Sequence, residues 1–371
     1  MYKNLVQLDT TDKYDIIIIG AGLTGMALAY YLRNSGKRIL IIEGRNRIGG
    51  RIHTRDNTNE APQEMGATWL SRQHSSLINL LQELGIQTFP QVLSDHAIYE
   101  PISTSPPQLV QLPRNNEPSY RIEGGTFSII GKLKTLISDT DIHLNEKANS
   151  IQGHENYIAV HSDKGSYLAD KVVSTLPPYL LGKNIEVSPA LPHSVMDIMN
   201  KTHTWMGESI KVSLSYAEPF WREKNLSGTI YSNIGPITEM YDHSDYEDKL
   251  FSIMGFVNNS YYSISKEERL QMILKQLSKY YGEITHNYIN YEEKVWRNDV
   301  MTYATYDDHL LPHQNNGHKI YQQSYLSGRL YIAGAETSSA HPGYMDGAVI
   351  SAIYVSKNLI NSGKTSEEQL R

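Results

Sequence analysis

The N-terminal part of the chain carries a hydrophobic pattern typical of a parallel β–α–β unit. From Tyr14 to Gly20 the residues form a short apolar run, as in strands that are buried on both faces of a parallel sheet. A helix is predicted from about Leu23 to a stop near Gly36, because glycine suits the left-handed position that ends helices. A second apolar strand is predicted over residues 38–43. Crossovers of this kind place the loop after the first strand at a ligand crevice.

Helical spacing of apolar residues recurs along the chain. It predicts one helix capped by Ser75 or Ser76 and stopped by Gly85, a second after the glycine pair at 124–125, and a third over residues 267–280. The apolar positions that carry these three helices are Leu77, Leu80, Leu81 and Leu84, then Ile130, Leu133 and Ile137, then Leu270, Ile273, Leu274 and Leu277.

Other segments read as strands or depart from the dinucleotide-fold pattern. Residues 151–175 predict short strands, and residues 330–334 predict a buried strand followed by a glycine-rich turn and a helix from about Asp346. Residues 90–119 are rich in Pro, Ser and Asn, and residues 201–296 are rich in Tyr, Trp and Met. We expect these two stretches to be insertions that build a second layer on an α/β fold.

Composition narrows the class of protein. The chain has 371 residues, of which 40% are hydrophobic and 20% charged, and its net charge is −6 with the basic residues spread out. This distribution argues against nucleic-acid and anionic-membrane partners. There is no cysteine, which excludes disulfides, thiolate nucleophiles, iron–sulfur clusters and cysteinyl cofactor attachment. The N-terminus lacks a signal-peptide core, the tail is polar and no apolar run is long enough to span a membrane. We expect a soluble, cytoplasmic protein of bacterial origin.

A glycine-rich turn joins the first strand to the first helix. Gly20, Gly22 and Gly25 have the spacing that permits a tight turn, close approach of the backbone to a pyrophosphate, and close packing of helix on strand. The N-terminus of the helix offers unpaired N–H groups to the phosphates. Glu43 ends the second strand, where an acidic side chain can bind ribose hydroxyls. Strand, turn, helix and acid together predict a dinucleotide site.

The segment that follows, EGRNRIGGR at 43–51, contains a second glycine pair and offers Arg51 as a charged donor. This run resembles the FAD signature of the flavin-dependent amine oxidase (monoamine oxidase) family. Arg47 is interpreted as surface charge. Five further motifs resemble the same family, in the same order along the chain: EMGATW at 64–69, RIEGG at 121–125, ADKVVSTLPP at 169–178, AGAET at 333–337 and GYMDGA at 343–348.

The resemblance implies FAD as the cofactor and a Rossmann-like FAD-binding domain of the glutathione-reductase/amine-oxidase type, with an inserted α+β substrate domain. It implies a FAD-binding domain at 1–89, 125–200 and 297–371, and a substrate domain at 90–124 and 201–296. The implied cofactor-binding residues are Gly20, Gly22, Leu23, Thr24, Gly25, Glu43, Gly44, Arg45, Gly49, Gly50, Arg51, Gly66, Ala67, Thr68, Trp69, Ala148, Gly334, Glu336, Tyr344, Met345 and Ala348.

Four residues resemble catalytic positions of monoamine oxidases. Lys211 lies in a strand similar to the one whose lysine holds a water at flavin N5, although its alternation with Ile210 and Val212 is also typical of an exposed lysine. Trp296 and Tyr303 resemble the segment that carries one wall of an aromatic cage, and Tyr344 resembles the other wall. Two tyrosine faces can admit an amine and direct its lone pair toward the flavin. Tyrosine is abundant here, so packing is the alternative role.

The departures from the family bear on the cofactor link and the substrate. Thr302 stands where mammalian monoamine oxidases have the cysteine that binds flavin, so we expect non-covalent FAD. Trp69 stands where related L-amino-acid oxidases have a carboxylate-binding arginine, which favours amines, although Arg72 or Arg121 could substitute. The insertion at 90–124 is shorter than in the animal enzymes, and we expect no counterpart of their membrane-anchoring helix.

The predicted function is FAD-dependent oxidation of a small-molecule amine to an imine, then to an aldehyde or ketone, with oxygen as the acceptor and hydrogen peroxide as the product. One alternative is a flavin desaturase or oxidase that acts on a C–C or ring C–N bond of a biosynthetic intermediate. Another is a protein of this fold that binds a partner and holds no flavin.

Overall fold

The computed structural model describes residues 13–57, 59–93, 95–112 and 117–368. The first twelve residues and the last three, on which the predictions about the chain ends partly depend, lie outside the described residues. The described chain forms two compact units. The first unit comprises the described parts of Met1–Gly50, Leu133–Trp205 and Tyr306–Arg371, and the second comprises those of Arg51–Lys132 and Met206–Thr305.

The strands and helices are numbered in chain order. The strands are β1 Tyr14–Ile19, β2 Ile39–Ile42, β3 Thr54–Arg55, β4 Gln63–Glu64, β5 Thr88–Pro90, β6 His96–Glu100, β7 Gln108–Gln111, β8 Tyr120–Ile122, β9 Asp141–His143, β10 Ala148–Gly153, β11 Ile158–Ser162, β12 Ser166–Ser174, β13 Glu186–Ser188, β14 Ile210–Tyr216, β15 Leu226–Ser232, β16 Ile237–Asp242, β17 Phe251–Val257, β18 Asn290–Val295, β19 Ser324–Tyr325 and β20 Leu330–Ile332. The α-helices are α1 Leu23–Leu32, α2 Ser75–Glu83, α3 Phe127–Leu136, α4 Pro178–Asn184, α5 His193–Asn200, α6 Lys266–Tyr281 and α7 Met345–Glu368.

The first unit is built on a nine-stranded mixed sheet. Its centre is parallel: β1 pairs with β2 and β12, β9 pairs with β2, and β20 pairs with the end of β12. The antiparallel strands β10, β11 and β12 extend the sheet on one side. The four isoleucines at 16–19 are buried, as the apolar run predicts for a central parallel strand. The predicted α/β pattern of this region is confirmed.

Helix α1 lies on this sheet and contacts α7. All but one of its residues are buried, which is why its sequence is apolar around the whole circumference. The helix ends four residues before Gly36, because Ser35 donates from both its N–H and its Oγ to the carbonyl oxygen of Leu32 and starts a turn. Gly36 occupies the left-handed region in that turn, with φ of +69°.

The second unit has its own seven-stranded sheet, in the order β18-β14-β17-β16-β15-β6-β7. All neighbours are antiparallel except β6 and β15. The strands come from both stretches that departed from the dinucleotide-fold pattern. Helix α6 packs on the sheet through Ile273, Leu274 and Leu277, and the side chain of Ser265 caps it by accepting from the N–H of Glu268 at 3.2 Å.

Two details differ from the sequence predictions. Helix α2 begins at Ser75 itself, with His74 as the preceding residue and no side-chain cap, so neither predicted serine is the cap. Residues 51–89 belong to the second compact unit, whereas the predicted FAD-binding domain includes them. Compactness does not report ligand binding, so the division into a cofactor domain and a substrate domain stays a prediction.

Candidate active site

The glycine turn between β1 and α1 admits no side chain at two of its three glycines. A Cβ on Gly25 would lie 2.1 Å from the carbonyl oxygen of Gly20, and one on Gly20 would lie 2.6 Å from Oγ1 of Thr175. Gly20 also has φ of +107°, a region that L-residues with side chains rarely adopt. The turn therefore needs glycine for steric reasons in the protein itself, and this leaves its backbone and the first turn of α1 open to a ligand.

The second glycine pair meets the first. Gly49 donates its N–H to the carbonyl oxygen of Ala21 at 2.8 Å and forms an isolated parallel bridge with Gly22. A Cβ on Gly50 would lie 3.1 Å from the Cα of Gly22. Two glycine backbones in contact at the start of a helix form the kind of cradle that the diphosphate of a dinucleotide occupies. This part of the structure fits FAD.

Glu43 organises the same turn. It is 4% exposed, and its two carboxylate oxygens accept from the N–H of Ala21 at 2.8 Å and from the N–H of Arg45 at 2.9 Å. The Arg45 guanidinium lies 3.4 Å from the same carboxylate. Oε1 accepts from both the N–H and Nη1 of Arg45, and Oε2 can accept a further hydrogen bond, so this organising role is compatible with the predicted role at a ribose.

The C-terminal motif of the first unit surrounds the start of α7. Gly334 has φ of +141° and donates its N–H to Oγ of Ser351 at 3.1 Å. Glu336 is buried and accepts from the N–H of Trp205 at 3.2 Å. Met345, the first residue of α7, is also buried. The motif is held by hydrogen bonds between backbone N–H groups and side chains within this unit.

Tyr344 is 41% exposed and lies in an aromatic group that the sequence did not reveal. The rings of Trp205 and His313 stack at 3.9 Å between centroids, and the ring of Tyr344 lies 5.9 Å from His313 at an interplanar angle of 18°. The three rings come from distant parts of the chain, so no local sequence pattern predicts their contact. They hold the face of Tyr344 nearly parallel to that of His313.

Lys211 is a buried lysine of the second unit. All seven residues of β14 are buried, and Lys211 is 2% exposed, so the exposed-lysine interpretation of its alternation is wrong. Segment 60–69 covers the polar side of the strand. Nζ of Lys211 donates to the carbonyl oxygen of Gly66 at 2.6 Å and to Oγ1 of Thr68. It also lies 5.3 Å from the ring of Trp69 and 5.4 Å from that of Phe256.

The burial of Lys211 changes its acid–base chemistry. Desolvation is the main reason why the pKa of Lys211 is lowered to about 7; the Arg121 guanidinium acts in the same direction, and the charges of Glu64 and Glu239 oppose it. Desolvation also raises the pKa of the Glu64 carboxyl, although that carboxyl accepts from the N–H of Thr126 at 2.5 Å. Burial thus favours the neutral form of both groups. A neutral Lys211 has a lone pair on Nζ, which can accept a proton.

The remaining two predicted catalytic residues are also buried in the second unit. Nε1 of Trp296 donates to the carbonyl oxygen of Met65 at 2.7 Å, which ties it to the segment that contacts Lys211. The hydroxyl of Tyr303 donates to Oε1 of Glu208 at 2.6 Å. Lys211, Trp296, Gly66, Thr68 and Trp69 are therefore brought together. Tyr303 lies in the same unit with Glu208 as its partner.

The remaining predicted cofactor-binding residues differ in how far they are buried. Ala148 is buried in β10, where it pairs with Ser162, and Leu23 and Thr24 are buried in the first turn of α1. Gly44, Arg51 and Ala67 are partly exposed, and Ala348 is buried in α7. Phe256 was missed: it stands opposite Lys211 in the β14–β17 pair, a register that sequence does not specify.

Among the described residues, no helix combines the length and apolar character needed to cross a bilayer. In the same part of the chain, no group of three or more His, Asp or Glu side chains is arranged to hold a metal ion.

Comparisons with known proteins agree with these motifs. The family model for flavin containing amine oxidoreductases matches residues 23–115 and 105–360. A probable flavin-containing monoamine oxidase A of Dictyostelium discoideum is 25% identical, over 93% of this chain and 97% of its own length. The flavin-containing amine oxidase B of Homo sapiens is 23% identical, over 97% of this chain and 89% of its own length.

Solved structures with the same fold are also found. Wild-type putrescine oxidase bound to putrescine has a TM-score of 0.80 and 22% identity, over 94% of this chain and 99% of that chain. Cyclohexylamine oxidase from Brevibacterium oxydans has a TM-score of 0.81 and 18% identity, over 95% of this chain and 100% of that chain. At these identities the likeness shows the fold alone, and it confirms the predicted FAD-binding fold.

Proposed function

The chain belongs to the flavin containing amine oxidoreductase family, and on that premise we propose that it oxidises a small-molecule amine to an imine with oxygen as the electron acceptor. Hydrolysis of the imine would give an aldehyde or ketone, and reduction of oxygen would give hydrogen peroxide. The observation that carries the proposal is Lys211, a buried amine held by segment 66–68, whose motif resembles the flavin-lining segment of the family.

FAD is the cofactor of this enzyme, and the absence of cysteine excludes a thioether link to it. When bound, FAD would supply the redox chemistry of the amine oxidation, as the acceptor of the hydride equivalent. Glu43, the glycines of the two turns and the start of α1 would hold the diphosphate and ribose. Gly334, Glu336 and the start of α7 are the residues we assign to the other end of the cofactor.

Lys211 would handle a proton at Nζ. In its neutral form the group has two hydrogens, and both are directed to Gly66 and Thr68. Its lone pair then accepts a hydrogen bond from a water or takes a proton released during amine oxidation. A pKa of about 7 suits this role, because proton exchange is efficient near the working pH.

The aromatic residues would orient the substrate. The face of Tyr303, fixed by its hydroxyl bond to Glu208, and the face of Tyr344, aligned by His313, each offer a negative quadrupole to an amine. Trp296 would act through the backbone of Met65, to which it donates. The placement of a substrate nitrogen between two tyrosine faces stays a prediction.

The test is anaerobic mixing of the purified yellow protein with a panel of amines while the visible flavin band is recorded. The panel includes putrescine and cyclohexylamine, the amines named for the two similar structures, together with benzylamine and several amino acids. We expect at least one amine to bleach the band, and we expect air to restore it with formation of hydrogen peroxide.

Two outcomes would contradict the proposal. Failure of every amine to bleach the band would favour the desaturase alternative. Bleaching by an amine that air does not reverse would keep amine oxidation and remove oxygen as the acceptor.

A further inference from the structure

The second unit contains a cavity of about 280 Å³ next to the Lys211 environment. Thr68, which accepts from Nζ of Lys211, is part of its wall. The aromatic side chains of Phe89 and Tyr246 also line it, with their rings 5.4 Å apart and edge to face. Its carboxylates are Asp56, Glu60, Glu64, Glu123, Asp245 and Glu247.

The deep part of the cavity holds a buried guanidinium. Arg121 is 5% exposed, and its Nη2 donates to the carbonyl oxygen of His243 at 3.2 Å. Its Nη1 is buried and has no hydrogen-bond partner among the described residues. Desolvation lowers the pKa of Arg121 to about 10, so the group is still charged at neutral pH. A buried charged donor without an acceptor is costly, and such groups in proteins usually have a partner.

His243 reinforces this observation. It is fully buried and lines the same cavity, and neither of its ring nitrogens has a partner among the described residues. Burial lowers the pKa of His243 well below its usual range, with Arg121 and Lys211 contributing, so the ring is neutral at pH 7. A neutral imidazole offers one donor and one acceptor. Two adjacent side chains therefore present unused hydrogen-bonding atoms to one small space.

The outer part of the cavity is acidic, in contrast to the cationic part around Arg121. Tyr246 is half exposed, and Glu247 has a side chain that is 61% exposed and forms a surface ion pair with Nζ of Lys249 at 2.5 Å. Glu123 and Asp245 are partly exposed. Carboxylates beside an aromatic face are suited to an ammonium group.

We propose that this cavity binds a small aminocarboxylate, with the carboxylate on Arg121 and His243 and the ammonium group among Glu123, Asp245, Glu247 and Tyr246. A guanidinium and a carboxylate form strong, charge-assisted hydrogen bonds. The ammonium group would balance the acidic rim, which would repel a simple anion. A simple amine would leave Nη1 of Arg121 unpaired. Only a ligand with both a carboxylate and an ammonium group can pair with both the Arg121 end and the acidic rim of the cavity. This inference does not depend on the proposed redox reaction.

Isothermal titration calorimetry of the FAD-loaded protein with three matched probes tests the proposal. The probes are 4-aminobutanoate, which has both groups, butanoate, which has the carboxylate alone, and 1-aminobutane, which has the ammonium group alone. We expect 4-aminobutanoate to bind at least tenfold more tightly than butanoate. We expect Arg121→Gln to weaken its binding at least tenfold, and Arg72→Gln to leave it unchanged, because Arg72 is exposed and its Nε donates to the Tyr120 hydroxyl.

The variants separate this cavity from the proposed catalytic site. Binding of 1-aminobutane that persists in Arg121→Gln belongs to the catalytic site and does not count here. If Arg121→Gln does not fold, Glu247→Lys, a variant at the exposed rim, replaces it. We expect Glu247→Lys to weaken the binding of 4-aminobutanoate several-fold. The proposal is overturned if 4-aminobutanoate shows no saturable binding, if butanoate binds equally well, or if neither Arg121→Gln nor Glu247→Lys changes its affinity.

Discussion

The glycine turn of the first unit and the Lys211 environment of the second unit are made in opposite ways. The turn is formed by backbone, from residues 20–25 and 49–50 that are close in sequence. The Lys211 environment is formed by side chains from segments that are far apart in sequence, since Trp69 and Phe256 both flank Nζ. The first region depends on the absence of side chains, and the second depends on which side chains exclude water.

This difference predicts different responses to mutation. This cradle fails when a Cβ is added at Gly20 or Gly25, whatever the chemistry of the new side chain, because the conflict is steric. A buried amine loses its function when its nitrogen is removed. The folded state, however, becomes more stable, because burying the amine costs free energy. The two regions should therefore separate cofactor binding from catalysis, in the order of effect that follows.

The largest effect is expected from Gly25→Val. Its Cβ would lie 2.1 Å from the carbonyl oxygen of Gly20, so the turn must move and the cradle is lost. We expect the protein to be purified without FAD, and the ratio of absorbance in the flavin band to that at 280 nm measures this loss. Gly131→Ala is the matched control, because no atom lies within 4 Å of its added Cβ and alanine favours the helix α3. A yellow Gly25→Val protein would show that the steric argument is wrong.

Lys211→Met should affect catalysis and spare cofactor binding. We expect flavin content to be unchanged and the rate of flavin reduction or of reoxidation to fall by about two orders of magnitude, the usual scale for loss of an acid–base group. Stopped-flow absorbance measures both half-reactions. Lys275→Met, at an exposed position of α6, is the control. Unchanged rates in both half-reactions would remove Lys211 from the mechanism.

The pH dependence should report the same group. Because the pKa of Lys211 is about 7, the rate of its half-reaction should fall about tenfold per pH unit below 7 in the wild type and lose this dependence in Lys211→Met. Stability gives a second measurement. The unfolded lysine titrates near 10.5, so between about 7 and 10.5 the unfolded state binds more protons. The stability of the wild type relative to Lys211→Met should therefore rise with pH across this window and be flat below it.

The smallest effect is expected from Glu43→Gln. The amide keeps an acceptor for the N–H of Ala21 or Arg45 but loses the charge and one acceptor oxygen. We expect FAD to bind roughly two- to tenfold more weakly, the range of one ordinary hydrogen bond. Titration of FAD into the apoprotein measures this change in affinity. A change larger than that caused by Gly25→Val would reverse the order proposed for this region.

The glycine turns were predictable because they belong to a local pattern, although the steric limit at Gly20 comes from Thr175, which is distant in sequence. A strand, a turn and a helix that are contiguous in sequence leave a pattern in that sequence, and Gly20, Gly25 and Gly49 fell where the pattern placed them. The strand bounds of β1 and β2 were predicted to within one residue for the same reason. The end of α1 was not predicted as closely. The hydrogen bond from the Ser35 side chain to the carbonyl oxygen of Leu32 ends the helix before Gly36.

The sequence by itself determined the residues that must lack a side chain and the apolar runs that must be buried, because these follow from local sterics and periodicity. Tertiary structure alone decided that Lys211 is buried, that Phe256 faces it, and that Arg121 and His243 share a cavity. The physical reason is that desolvation depends on every atom that covers a group. The segment at 60–69 that covers β14 precedes it by more than a hundred residues, and no periodicity along the chain records such a contact.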